Sequence, residues 1–189
     1  MRQLLFILTT LIGQTLTGYS QARYKMNSCR IDFVFATDNL QKGTKTLIFT
    51  DSGKIEKEFG VTYYDTSANS EIRKEMIGNR TVYHTLLIHT IDSVFSIDLD
   101  LMTGNKRAKF GLGFSSLMDE QMKKIREDAF LNKRCDVMDF NGVKLWYWKG
   151  IVLKKELPVD GVYEYATLID ENYIIKEDEF QVPKNVKME

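Results

Sequence analysis

The chain has 189 residues, with 26 basic and 26 acidic side chains and a formal net charge of zero. That balance argues against nucleic acid as a partner, whose binders usually carry a basic excess on one surface. Aromatics at 12 % and only two prolines indicate a folded domain rather than a disordered tail.

The chain opens on the layout of a secretory signal peptide. Met1-Arg2-Gln3 carries one positive charge, Leu4 to Gly18 is mostly apolar, and Ser20-Gln21-Ala22 places small residues before a cut after Ala22. A cut after Ser20 is the alternative, as is an uncleaved anchor. Against an anchor, the apolar run is short and broken by Thr9, Thr10, Gln14 and Thr15. No cysteine closes the run, so there is no lipoprotein attachment site. The expected location is therefore periplasmic or secreted, with 1–22 as signal peptide, no membrane span after cleavage, and 23–189 as one domain.

Arg30 to Ala36 reads as a strand, and Gly43 opens a second from Thr44 to Thr50, ended by the Asp51-Ser52-Gly53 turn. Lys54 to Tyr64 is extended. Thr66 to Asn79 is ambiguous, with Glu71 to Met76 either strand or helical turn. Arg80 to Thr90 is rich in β-branched and aromatic residues, with Val82, Leu86 and Ile88 on one side and Tyr83 and Leu87 on the other. In Ser93 to Leu101, Phe95, Ile97, Leu99 and Leu101 alternate with Ser96, Asp98 and Asp100. Thr103-Gly104-Asn105 is expected to turn the chain into a basic run, Lys106 to Lys109. The period then changes. Ser116 and Asp119 form a capping box, and Leu117, Met118, Gln121, Met122, Ile125, Ala129 and Phe130 mark a helical stripe.

Asn141-Gly142 between two apolar runs predicts a two-residue hairpin with a type I′ turn. The register follows: Phe140 with Val143, Met138 with Leu145, Asp136 with Tyr147, Asp139 with Lys144, Val137 with Trp146 and Cys135 with Trp148. Both faces of this hairpin are apolar, so each needs a cover. Ile151 to Leu157 and Gly161 to Ile169 follow as strands. In the second, Tyr163, Tyr165 and Thr167 oppose Val162, Ala166 and Leu168. Phe180, Val182 and Pro183 belong to a final strand or ordered arm. The expected fold class is mainly β (α+β), an antiparallel sheet with one main helix packed on or across it.

No catalytic constellation emerges, so no enzyme, cofactor or metal site is expected. His84 and His89, five apart in one strand, leave opposite faces. Asp98 and Asp100 share a face about 7 Å apart by strand geometry, a separation compatible with paired-carboxylate chemistry but also with a solvated strand face. Gly111 to Ser116 lacks both the third glycine of the dinucleotide pattern and the Gly-Lys-Ser/Thr of the nucleotide loop. The acids at Glu177-Asp178-Glu179 do not follow the calcium-loop spacing. Cys29 and Cys135 are either a disulfide or two buried thiols.

The signal peptide, the strand opening near a cysteine, GTKTLIFTDSGKIEKEF (Gly43 to Phe59), LWYWKGIVLKKEL, Ala166 to Asp170 and the closing FQVP (Phe180 to Pro183) together resemble the outer-membrane lipoprotein carriers, the LolA/LolB-like superfamily. The resemblance covers most of residues 23–189 and implies a strongly curved sheet forming an incomplete barrel around an apolar cavity that accepts acyl chains. The expected function is thus a non-catalytic exported binding protein holding an acyl lipid or lipoprotein chain in the concave face of a half-barrel. Its expected lining is Phe95, Ile97, Leu99, Met118, Met122, Leu145, Trp146 and Trp148, and its partner a hydrophobic ligand, a lipidated protein or another envelope protein. The alternative is a cell-envelope structural or protein-interaction module with a packed core and no ligand.

Overall fold

The computed structural model describes residues 22–36, 41–64, 81–108, 122–157 and 162–189. Twelve strands form one open sheet. In chain order they are β1 (Cys29–Ala36), β2 (Gln41–Thr50), β3 (Ile55–Tyr64), β4 (Val82–His89), β5 (Ser93–Asp98), β6 (Thr103–Ala108), β7 (Lys123–Phe130), β8 (Lys133–Phe140), β9 (Val143–Trp148), β10 (Ile151–Leu157), β11 (Val162–Asp170) and β12 (Lys187–Met188). The order across the sheet is β12-β6-β5-β4-β3-β2-β1-β11-β10-β9-β8-β7. All neighbours are antiparallel except β12 and β6.

The hairpin forms in the predicted register from Phe140–Val143 to Asp136–Tyr147. Asn141 (φ 51°) and Gly142 (φ 87°) both take the left-handed conformation that a type I′ turn demands. Pairing stops one step short of Cys135 and Trp148. Two expectations fail. The helical stripe is not a helix where it is described: Lys123–Phe130 is the edge strand β7, paired with β8 from Lys123–Asp139 to Phe130–Lys133. A bulge at Ile125 interrupts its alternation, and this made a strand read as a 3.6-residue period. Residues 117–121, with Met118, lie outside the described residues, as do Gly111 to Ser116, Glu71 to Met76 and all but Ala22 of the expected signal peptide, 1–22. The turn before the basic run also comes earlier than expected. Residues 99–102 turn, Met102 has φ 52°, and Thr103 to Ala108 are all strand.

The sheet curls. Tyr24 N–H donates to Ser52 O at 3.0 Å, between β2 and β3, while Lys25 N–H donates to Lys149 O at 2.9 Å, between β9 and β10. Consecutive backbone nitrogens are so close that these two carbonyls lie within about 10 Å. Four strand spacings of a flat sheet would hold those turns about 19 Å apart. The face that meets this N-terminal segment is therefore concave at that end, and is called inner below.

The main core lies on the inner face: Tyr24, Cys29, Ile31, Phe33, Phe49, Cys135, Val137, Trp146, Trp148, Ile151, Leu153 and Ala166 are buried together. A second cluster, Leu86, Ile88 and Ile97, lies on the outer face. The chain after β11 crosses that face as a strap. Arg30 stacks on the Tyr173 ring at 5.8 Å, Lys57 pairs with Glu179 at 2.8 Å, and Phe180, Val182 and Val186 pack on the second cluster. The strap ends as β12 on the β6 edge. Each apolar patch is thus closed by one terminal segment of the same chain.

Candidate functional surface

Trp146 and Trp148, the residues expected to meet a guest, are 3 % and 8 % exposed. The Trp146 indole N–H donates to the Asp128 carboxylate at 3.1 Å, and Lys154 Nζ stands 4.5 Å above its ring. Lys133 and Lys149 lie 5.0 and 4.7 Å from the Trp148 ring, and both bind Glu171, at 2.5 and 3.1 Å. Hydrogen bonds from these two lysines hold the Glu171 carboxyl below its ordinary range. The tryptophans are therefore sealed by core side chains on one side and capped by paired cations on the other.

The remaining expected lining does not converge on them. Phe95 and Ile97 are on the outer face, since Ile88 pairs with Phe95 and Leu86 with Ile97; they and Leu99 pack in the second cluster with the strap. Leu145 pairs with Met138 and is offset by one residue from Trp146, so it faces the opposite side of the hairpin. Met122 accepts the Tyr147 hydroxyl through Sδ at 3.4 Å. The split has a simple cause. Alternation shows which residues of one strand share a face, but not which faces of distant strands coincide.

Cys29 and Cys135 are fully buried, with free thiols, in the same core. Burial first, then the Glu171 and Asp170 charges, pushes the Cys29 thiol up to about 11. Neither thiol is a nucleophile at neutral pH. Both are expected to stay unreactive to a thiol reagent in the folded chain and to titrate fully in denaturant; fast labelling of the native protein would contradict their burial.

Among the described residues no group of three or more His, Cys, Asp or Glu side chains is placed to hold a metal ion. His84 faces outward beside Val61 and His89 inward beside Glu56, as their spacing predicts. Asp98 and Asp100 do not act as a pair. Asp98 accepts the N–H groups of Asp100 and Leu101 at 3.0 Å each, capping the β5–β6 turn. Asp100 accepts from His84 N–H at 2.9 Å and meets His84 Nδ1 at 2.7 Å, and these bonds, the backbone one first, lower its pKa.

The inner face carries a charged belt that the sequence did not reveal, because its members come from distant strands. Lys45 Nζ meets Glu164 at 2.6 Å, Glu58 at 3.5 Å and the Phe33 ring at 4.9 Å. Beside it Arg23 forks onto buried Glu56 at 2.7 and 2.8 Å. Burial raises the Glu58 carboxyl against the pull of Lys45. In this belt two cations meet three carboxylates, and each carboxylate contacts a cation.

What stays open is the part of the outer face that the strap does not cross. Cross-strand pairing places Tyr63, Lys42, Ala36 and Tyr163 in one row, and Val61, Thr44, Val34 and Tyr165 in the next. The Tyr163 and Tyr165 rings are 5.6 Å apart. Tyr63, Tyr163, Tyr165 and Leu168 are 46, 40, 37 and 50 % exposed. Leu168 joins this surface because a bulge skips Thr167: Asp32 pairs with Leu168 and Phe33 with Ala166. Strict alternation had put Leu168 with Ala166. Two concavities of about 430 and 520 Å³ are open to solvent, one along β5–β6 and one at the β7–β8 turn. Among the described residues no helix is long and apolar enough to cross a membrane.

No protein-family model matches this chain, and no curated protein is similar to it. Its fold is similar to the crystal structure of an uncharacterized conserved protein from Thermus thermophilus, with a TM-score of 0.54 over 93 % of this chain and 97 % of that one. The two are 7 % identical, so the likeness concerns the fold alone.

Proposed function

We propose that this chain is a non-catalytic interaction module of the cell envelope, exported to the periplasm or beyond, that docks a partner protein on the aromatic rows of its outer face. The observation that supports this reading is where the apolar side chains end up. Trp146 and Trp148 are consumed by the core and Phe95, Ile97 and Leu99 by the strap, while Tyr63, Tyr163, Tyr165 and Leu168 stay partly exposed on the β3-β2-β1-β11 stretch of the outer face, apart from the single exposed residues Ile125 and Met188 at the two sheet edges. Half-exposed tyrosines suit a partner surface, since they bury large area at little conformational cost while their hydroxyls stay wet.

The carrier reading keeps one supporting observation, the curl of the sheet toward its inner face. Its inner wall, however, is a packed apolar core that leaves Trp146 and Trp148 buried, with the paired Lys45–Glu58–Glu164 belt beside it. Two measurements separate the readings. The mature protein, purified from its own compartment, should yield no stoichiometric acyl lipid by extraction and mass spectrometry. A photo-crosslinking residue at position 163 or 165 should capture the same protein in cells, while one at Glu177 on the strap should not. Co-purified lipid with no crosslink specific to positions 163 and 165 would replace the module with the carrier.

A further inference from the structure

We propose that the outer edge of β6 is a strand-addition site, partly occupied by the chain's own Lys187–Met188, and that it accepts an extended acidic peptide from a partner protein. This takes from the interaction-module reading only that the partner is a protein; the surface is separate from the aromatic rows and is tested with those rows intact.

The two edges of the sheet are built differently. β7 is protected as exposed edges usually are: a bulge at Ile125 breaks its ladder, and its charges are tied up as Lys124–Glu127, Arg126–Asp128 and Glu127–Arg134. β6 runs in unbroken register with β5 from Ser93–Ala108 to Asp98–Thr103. Among the described residues its free side is covered at Thr103 and Gly104, by the two residues of β12. Asn105 to Ala108 have no strand beside them among the described residues. Lys187 N–H donates to Met102 O at 2.9 Å and Glu189 N–H to Gly104 O at 2.8 Å. Carried two residues further, the same alternation turns the backbone groups of Lys106 and Ala108 outward, toward an added strand.

The side chains specify the guest. Gly104 leaves room on the outer face for one apolar side chain: Met188 Sδ would lie 3.1 Å from a Cβ placed there, and Ile97 Cγ1 3.0 Å. On the inner face Glu189 lines the 430 Å³ cleft with Arg107, Asn105 and Ser96. Asp98, in the same cleft, is engaged in its turn. Beyond β12, a parallel strand would meet Lys106, held over the Phe95 ring at 5.4 Å, and then Arg107; both are exposed. One apolar residue followed by acids is therefore the complementary sequence. β12 can leave without opening the core, because Phe180, Val182 and Val186 anchor the strap separately.

The test uses the full chain and a dye-labelled peptide, Asn-Val-Lys-Met-Glu-Glu-Glu-Val, which repeats residues 185–189 and then sets acids beside Lys106 and Arg107. Lys187→Pro removes the N–H that bonds Met102 O, and Met188→Asp empties the apolar seat; either release should tighten peptide binding about tenfold over the natural chain by fluorescence anisotropy at low salt. Lys106→Glu with Arg107→Glu in the released chain should reverse the gain. Hydrogen exchange at the Lys106 and Ala108 amides should slow on binding. Equal affinity in natural and released chains, equal binding of a peptide with lysines in place of the acids, or protection confined to Tyr163 and Tyr165 would each overturn the proposal. The last outcome would still leave the docking function standing.

Discussion

Trp146→Ala is expected to cost about 3–5 kcal/mol of unfolding free energy, the range for truncating a large buried aromatic. Trp146 is 3 % exposed and packs in the main inner-face core among the chain's own side chains. Truncation opens a cavity there and also strips the Asp128 carboxylate of the indole N–H, whose bond comes first among the causes lowering that carboxyl's pKa. Trp146→Phe separates the two effects. It retains most of the packing and loses the hydrogen bond, for roughly 1–2 kcal/mol. Tyr165→Ala, on a residue 37 % exposed, should change stability by no more than about 1 kcal/mol. Urea denaturation at constant m-value reads all three. A tolerant Trp146 would mean a loosely filled inner face, the property a carrier needs; a large loss supports the packed module. Stability and docking should therefore separate by face: tryptophan variants destabilise the chain, and tyrosine variants leave its stability nearly unchanged but abolish the crosslink.

Wherever one local rule decided the outcome, the sequence was readable. Asn141-Gly142 sets a turn with positive φ at both residues, and once the turn is placed the whole β8–β9 register is determined. The strands Ile151 to Leu157 and Arg80 to Thr90 were visible for a similar reason, each bounded by turn residues and dense in β-branched side chains. Two of the errors fall at bulges. At Ile125 the skipped pairing disguised a charged edge strand as an amphipathic helix, and at Thr167 it carried Leu168 to the other face. A bulge is one extra residue with no composition of its own, so period counting passes over it. The surface was hidden for a different reason. Tyr63, Tyr163 and Tyr165 become neighbours only through the β3-β2-β1-β11 order, which depends on the long-range pairing of β1 with β11. Which half of the outer face stays bare depends in turn on the path of the strap, and no local pattern encodes that path.

The strap itself supplies the second large effect, Lys57→Met. Glu179 is almost fully buried, with its carboxylate held by Lys57 Nζ and the Tyr173 hydroxyl, each at 2.8 Å. Burial alone would push its pKa up, but these two hydrogen bonds, with the charges of Lys57 and Lys176, together outweigh burial and hold it below the ordinary 4.5. In the natural chain the latch therefore contributes stability that is complete above pH 4.5 and is lost as pH falls through the lower folded value. Lys57→Met leaves a buried carboxylate without its cation, at a cost of about 3 kcal/mol at pH 7. Its folded pKa should then rise above 4.5, so the sign of the linkage reverses: the variant is penalised at neutral pH and recovers as acid neutralises Glu179. The stability gap between variant and natural chain should accordingly narrow to roughly 1 kcal/mol near pH 4. Adding Glu179→Gln to Lys57→Met should restore most of the loss at pH 7, since the buried charge is gone. Hydrogen exchange would locate the effect: residues 179–189 should open at neutral pH in the single variant while β8 and β9 stay protected. A gap that widened toward pH 4, or exchange that rose equally in the hairpin, would mean that Glu179 does not hold the strap and that the second cluster is kept closed by Phe180, Val182 and Val186 alone.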